Sequence, residues 1–114
     1  YIEGQLMKPA TFLIAAMLLG GCAHSLSGEE GLMKAIEGSV SLPKEAAPFG
    51  RYRRHYTWAK DDPDTVMAVY ALGGKPKRLW LPEDEMPIVL DGGCTVVTFR
   101  YHLKSKLISD LRCN

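Results

Sequence analysis

The residues able to do chemistry are three cysteines, three histidines and the acidic runs at 61–64 and 83–85. Cys94, preceded by the flexible Gly92-Gly93, would be a nucleophile if His55 or His102 served as its base. Glu83, Asp84 and Glu85 could supply paired carboxylates for glycoside cleavage, but adjacent loop carboxylates without a shielded cleft are usually solvated. Asp61, Asp62 and Asp64 suggest a calcium loop, yet the segment lacks the alternating oxygen ligands, the glycine and the terminal glutamate of that frame. It reads as a plain turn. His24, His55 and His102 are isolated and lack zinc-ligand spacing. There is no phosphate loop, Gly-x-Ser-x-Gly elbow or dinucleotide fingerprint. No catalytic residue, metal or cofactor is expected.

Two other groups could bind rather than react. Arg51, Arg53, Arg54 and His55 form the densest basic cluster, with Lys75, Lys77 and Arg78 as further contributors. Such a face could meet lipid headgroup phosphates, lipopolysaccharide or an acidic envelope protein. The plainer reading is a solvated outer face whose arginine stems cover a sheet. The rings of Tyr52, Tyr56, Trp58, Tyr70, Trp80, Phe99 and Tyr101 could line a glycan groove, but in so small a domain they are expected to be its core. Over 114 residues, 46% hydrophobic and 24% charged, the net charge is only +1. That allows one small domain and argues against a nucleic-acid partner.

The longest apolar run, Ala10 to Leu19, is half the length that a spanning helix needs, about 20 residues. It fits the apolar core of a secretory signal, about 7–15 residues. Met7-Lys8-Pro9 supplies a start methionine and a positive charge, and Tyr1 to Leu6 read as upstream readthrough, a fusion scar or a misassigned start. The run ends in Leu19-Gly20-Gly21-Cys22, which resembles the lipoprotein signal of bacteria. The resemblance implies a diacylglyceryl group on the Cys22 thiol, cleavage before Cys22 and acylation of the new amine. Several chains would anchor the protein durably, since each buried methylene contributes about 0.8 kcal/mol. Ala23, in place of the aspartate that retains such proteins at the inner membrane, points to the periplasmic face of the outer membrane.

With Cys22 assigned to lipid, Cys94 and Cys113 remain as an even pair, which in an oxidising compartment reads as a disulfide. Residues 94–101 are rich in β-branched and aromatic side chains, and 107–113 can partner them. A two-residue turn at Leu103-Lys104 sets Cys94 opposite Cys113, Val96 opposite Leu111, Thr98 opposite Ser109 and Phe99 opposite Ile108. The bond would then close the hairpin's open end.

The supporting elements follow from periodicity. Ser27 and Glu30 match a capping box, and Leu32, Met33, Ile36 and Val40 have helical spacing, so a helix is predicted over 28–38. Residues 42–50 read as irregular. Arg51 to Trp58 alternates, with Tyr52, Arg54, Tyr56 and Trp58 on one face and Arg51, Arg53, His55 and Thr57 on the other. Thr65 to Leu72 is apolar on both faces, hence central. Lys77 to Leu81 is a short strand stopped by Pro82, with an extended piece at Ile88 to Leu90. The expected fold is α+β, one short N-terminal helix on a small antiparallel meander of about five strands, with a small β-barrel as the alternative. Residues 1–21 are upstream sequence and signal, 22–43 an anchored tether with the helix, and 44–114 the β domain.

These readings converge on a small lipid-anchored periplasmic protein of the bacterial envelope, non-enzymatic and serving a partner or the envelope itself. One alternative is a periplasmic inhibitor of a hydrolase such as lysozyme. Another is an envelope enzyme using Cys94 or the acidic loop.

Overall fold

The computed structural model describes residues 28–88 and 92–114. Cys22, the signal-like run before it, Ala23 and Ser27 lie outside the described residues, as do Val89 to Asp91. The chain divides into two units, Tyr1–Lys34 and Ala35–Asn114. The described part of the first, 28–34, is helical. Helical residues 28–39 form α1, one residue longer than predicted, and Gly38 lies inside it. The Val40 amide still donates to the Ile36 carbonyl at 2.9 Å, and Pro43 comes soon after.

The second unit contains the five strands β1 (Arg53–Trp58), β2 (Thr65–Ala71), β3 (Arg78–Trp80), β4 (Val96–His102) and β5 (Leu107–Cys113). They form one open sheet in the order β3-β1-β2-β4-β5. The class is α+β, as expected, and β2 is the middle strand. β2 has five buried residues because it is apolar towards both faces. The helix-side face carries Arg54, Tyr56 and Trp58 of β1, Val66, Ala68 and Tyr70 of β2, and Val97, Phe99 and Tyr101 of β4, aligned by the antiparallel registers. Ile36, Tyr52, Tyr56, Val66, Tyr70 and Val97 have no exposed surface.

Two expectations are corrected. The sheet is not a simple meander and not a barrel. β3 lies parallel to β1 on the sheet's outer edge, so the chain leaving β2 passes over the start of β1 instead of adding beside β2. That neighbouring position belongs to β4. The crossing is close. A Cβ on Gly74 would sit 2.9 Å from Arg53 Cδ, and Gly73 has φ +104°, a conformation that favours glycine. Arg53 Nη1 donates to the Lys75 carbonyl at 3.3 Å, and the Arg54 amide to Lys77 at 2.8 Å. Short connections therefore did not enforce neighbouring antiparallel strands.

The terminal hairpin forms in another register. His102 faces Leu107, Tyr101 faces Ile108 and Arg100 faces Ser109; beyond a bulge, Thr98 faces Arg112 and Val97 faces Cys113. The turn is four residues, with the Lys106 amide on the His102 carbonyl at 2.7 Å and Lys106 at φ 61°. No Asn-Gly or Asp-Gly pair was present to fix a two-residue turn. Asp110, at φ 55°, lies in the bulge. The Cys94–Cys113 disulfide is nevertheless formed, with Cα atoms 4.5 Å apart. Cys94 reaches it from the 3-10 turn Gly93–Thr95, not from a ladder position. The Asn114 amide donates to Gly93 and Val96 carbonyls at 3.0 Å, holding that turn against the end of β5.

Candidate functional site

The polar groups of the second unit gather at three places. The first is on the helix-side face, at the start of β1 and β3, where the parallel register sets Arg54 beside Arg78. Glu37, near the end of α1, enters between them with a side chain 5% exposed. Arg54 Nε donates to Glu37 Oε2 at 3.0 Å, and Arg78 Nη2 to Oε1 at 2.7 Å. The Tyr56 hydroxyl donates to Oε2 at 2.8 Å, so the 2.6 Å contact between Tyr56 and Tyr70 is a donation from Tyr70. Arg54 Nη1 also reaches the Tyr52 carbonyl at 3.1 Å, and its guanidinium lies 5.0 Å from the Phe49 ring centre. Burial pushes the Glu37 carboxyl up, but hydrogen bonds from Arg78, Tyr56 and Arg54 outweigh it and hold the group below its ordinary range. Burial chiefly raises Tyr56 and Tyr70, so both stay neutral phenols. Arg54, Arg78, Tyr56 and Tyr70 each already donate to an acceptor here, which suits a structural ion cluster.

The second place is on the opposite face. Thr65 Oγ1 donates to Asp62 Oδ2 at 2.9 Å, and its only proton is then committed. His102 Nδ1 lies 3.1 Å from that oxygen, and its Nε2 lies 2.7 Å from Ser109 Oγ. Ser109, His102, Thr65 and Asp62 thus form a hydrogen-bonded chain in which Thr65 stands between the histidine and the carboxylate. Neither groove described below reaches it. It ties β2, β4 and β5 to the Asp62 turn.

The third place is the far end of the helix-side face. Five of the seven aromatic side chains are core, as expected: Tyr52, Tyr56, Tyr70, Phe99 and Tyr101 are buried. Trp58 is 39% exposed and Trp80 is half-buried. Their rings meet edge-to-face at 5.3 Å, and Trp80 stacks on buried Tyr56 at 6.3 Å. β1 ends at Trp58, and Pro82 stops the chain after β3 and opens the 3-10 turn Glu83–Glu85, whose first residue, Glu83, lies beside both indoles. Thr57, Trp58, Trp80, Leu81, Pro82 and Glu83 line an open groove of about 410 Å³. Lys60 Nζ sits 3.4 Å from Glu83, an exposed pair at the rim. A second pocket of about 330 Å³ lies between the β3–β4 crossover, residues 83–88, and Thr57, Met67 and Val69.

The predicted basic cluster does not form one surface. Arg51 is exposed and Arg53 half-buried, but Arg54 points to the helix side and is 8% exposed. His55 is also 8% exposed, with Nδ1 2.9 Å from the Val69 carbonyl. Burial, assisted by the charge of Arg53, lowers its pKa and keeps it neutral. The face expected to be solvated is partly covered by the crossover, which alternation within β1 could not reveal. Asp62 and Asp64 shape the turn before β2 through the 2.9 Å bond from the Asp64 amide to Asp62 Oδ1. Asp61 pairs with Arg100 Nη2 at 2.9 Å. Cys94 is consumed by its disulfide. Among the described residues, no three His, Cys, Asp or Glu side chains gather as a metal site. No helix among them is long and apolar enough to cross a membrane.

No protein-family model, curated protein or solved structure matches the chain.

Proposed function

We propose that the chain is a small, non-enzymatic binding domain of the bacterial envelope, tethered through lipid on Cys22 to the periplasmic face of the outer membrane. The observation that carries this reading is the Cys94–Cys113 disulfide. It fits an oxidising compartment, leaves Cys22 as the single cysteine for acylation, and withdraws Cys94 from nucleophilic chemistry. The exposed indole groove, beside a saturated polar core, favours binding over catalysis.

The test is to express the full chain in a bacterium fed labelled palmitate. Label is expected in the envelope fraction and should vanish in Cys22→Ser. An unlabelled wild-type chain, or label that persists in Cys22→Ser, would overturn the anchoring.

A further inference from the structure

We propose that the groove between Trp58, Trp80 and Glu83 is a binding site for a neutral pyranose, as found in glycan strands. The proposal rests on the reading above that the domain binds rather than reacts, and it names the ligand.

The groove has what a sugar ring requires. One face of a pyranose is a patch of C–H groups, which packs against an indole, and its edge is a rim of hydroxyls, which need both donors and acceptors. Trp58 offers an exposed ring, and Trp80 is fixed in position by its stack on Tyr56. Rings this large are costly to leave open to water and are common at binding sites. At the rim, Lys60 is a donor and Glu83 an acceptor, 3.4 Å apart and both well exposed, so each keeps capacity for another partner. A volume of about 410 Å³ falls within the usual range for small-ligand pockets, about 300–1,000 Å³.

Charge narrows the ligand. Glu83 lines the groove, and Asp84 and Glu85 follow it in the same 3-10 turn, so acidic residues outnumber Lys60 in this neighbourhood, which disfavours phosphate headgroups and acidic sugars. A quaternary ammonium prefers a cage of several converging rings. Here two rings meet edge-to-face and the groove is open. A neutral ring with hydroxyls is what remains.

The experiment is a titration of the purified full-length protein with a soluble trimer of N-acetylglucosamine, followed by tryptophan fluorescence. Cellotriose, a galacturonic acid trimer and tetramethylammonium serve as alternative probes. Both neutral trimers should bind, and Trp58→Ala should weaken binding at least about tenfold. Glu83→Gln should weaken it less, with melting temperature near that of the parent. Trp80→Ala is avoided because that ring supports Tyr56. Absence of binding by either neutral trimer at about 10 mM, binding of tetramethylammonium or the acidic trimer in preference, or unchanged affinity in Trp58→Ala would each overturn the proposal. The palmitate experiment reads anchoring independently, so failure of one claim is distinguishable from failure of the other.

Discussion

Two ends of one sheet face use the same materials differently. At the start of β1 and β3, a carboxylate is enclosed by two arginines and a tyrosine, and Glu37 is almost out of water. At the end of the same two strands, another carboxylate, Glu83, faces one exposed lysine beside two partly open indoles. The first end has spent its hydrogen-bonding capacity on itself; the second has kept it. Charge and aromaticity alone therefore do not mark a site. What marks it is whether neighbouring elements have already satisfied those groups.

The sharpest way to break this contrast is to open the closed end. Glu37→Ala leaves Arg54 and Arg78 without their carboxylate in a confined space, and removing one partner of a buried pair typically costs about 3–5 kcal/mol. Denaturant unfolding should show that loss, whereas Glu83→Ala, at the exposed pair, should change stability by less than about 1 kcal/mol. Equal costs would erase the distinction between the two ends.

Next in size is the disulfide. Cys94→Ser should destabilise by about 3 kcal/mol, the value expected for a loop of this length. Unfolding of the parent with and without reductant checks it. The groove should survive, because Trp58 and Trp80 lie on β1 and β3, away from Cys113 on β5.

The pH profile separates two contributions. His55 has a folded pKa below its ordinary 6.5, so its share of stability is complete above pH 6.5 and declines as pH falls below that value. Glu37 is held below its ordinary 4.5, so its share begins to fall only beneath pH 4.5. Thermal melts should show the first decline flattened in His55→Gln and the second reduced in Glu37→Gln. The smallest effect is expected for Gly74→Ala. The added methyl would meet the Arg53 stem, a flexible side chain on the surface that can move aside.

Much of this was legible in the sequence. Periodicity located α1 and all five strands, and cysteine parity paired Cys94 with Cys113. The register used to support that pair was wrong, since a four-residue turn and a bulge at Asp110 both displace it. The Glu37 cluster was missed, although its signal was present. Glu37 falls within the apolar stripe Met33, Ile36 and Val40, and Arg54 stands among rings on β1's apolar face. Opposite charges on two buried stripes are complementary. The parallel placement of β3 and the crossover beside Thr57, Met67 and Val69 depend on which strand occupies the position beside β2. No local pattern encodes that choice. The indole groove was visible only as seven aromatic residues. Exposure of Trp58 and Trp80 arises because both sit at strand ends, where Pro82 turns the chain away.

The most direct test follows both ends at once by NMR, with the neutral trimer added to isotope-labelled full-length protein. The indole N–H signals of Trp58 and Trp80 should shift together to saturation while the Arg54 side-chain Nε–H signal stays in place. Stationary indole signals, or a shift centred on Arg54, would contradict the contrast between the two ends.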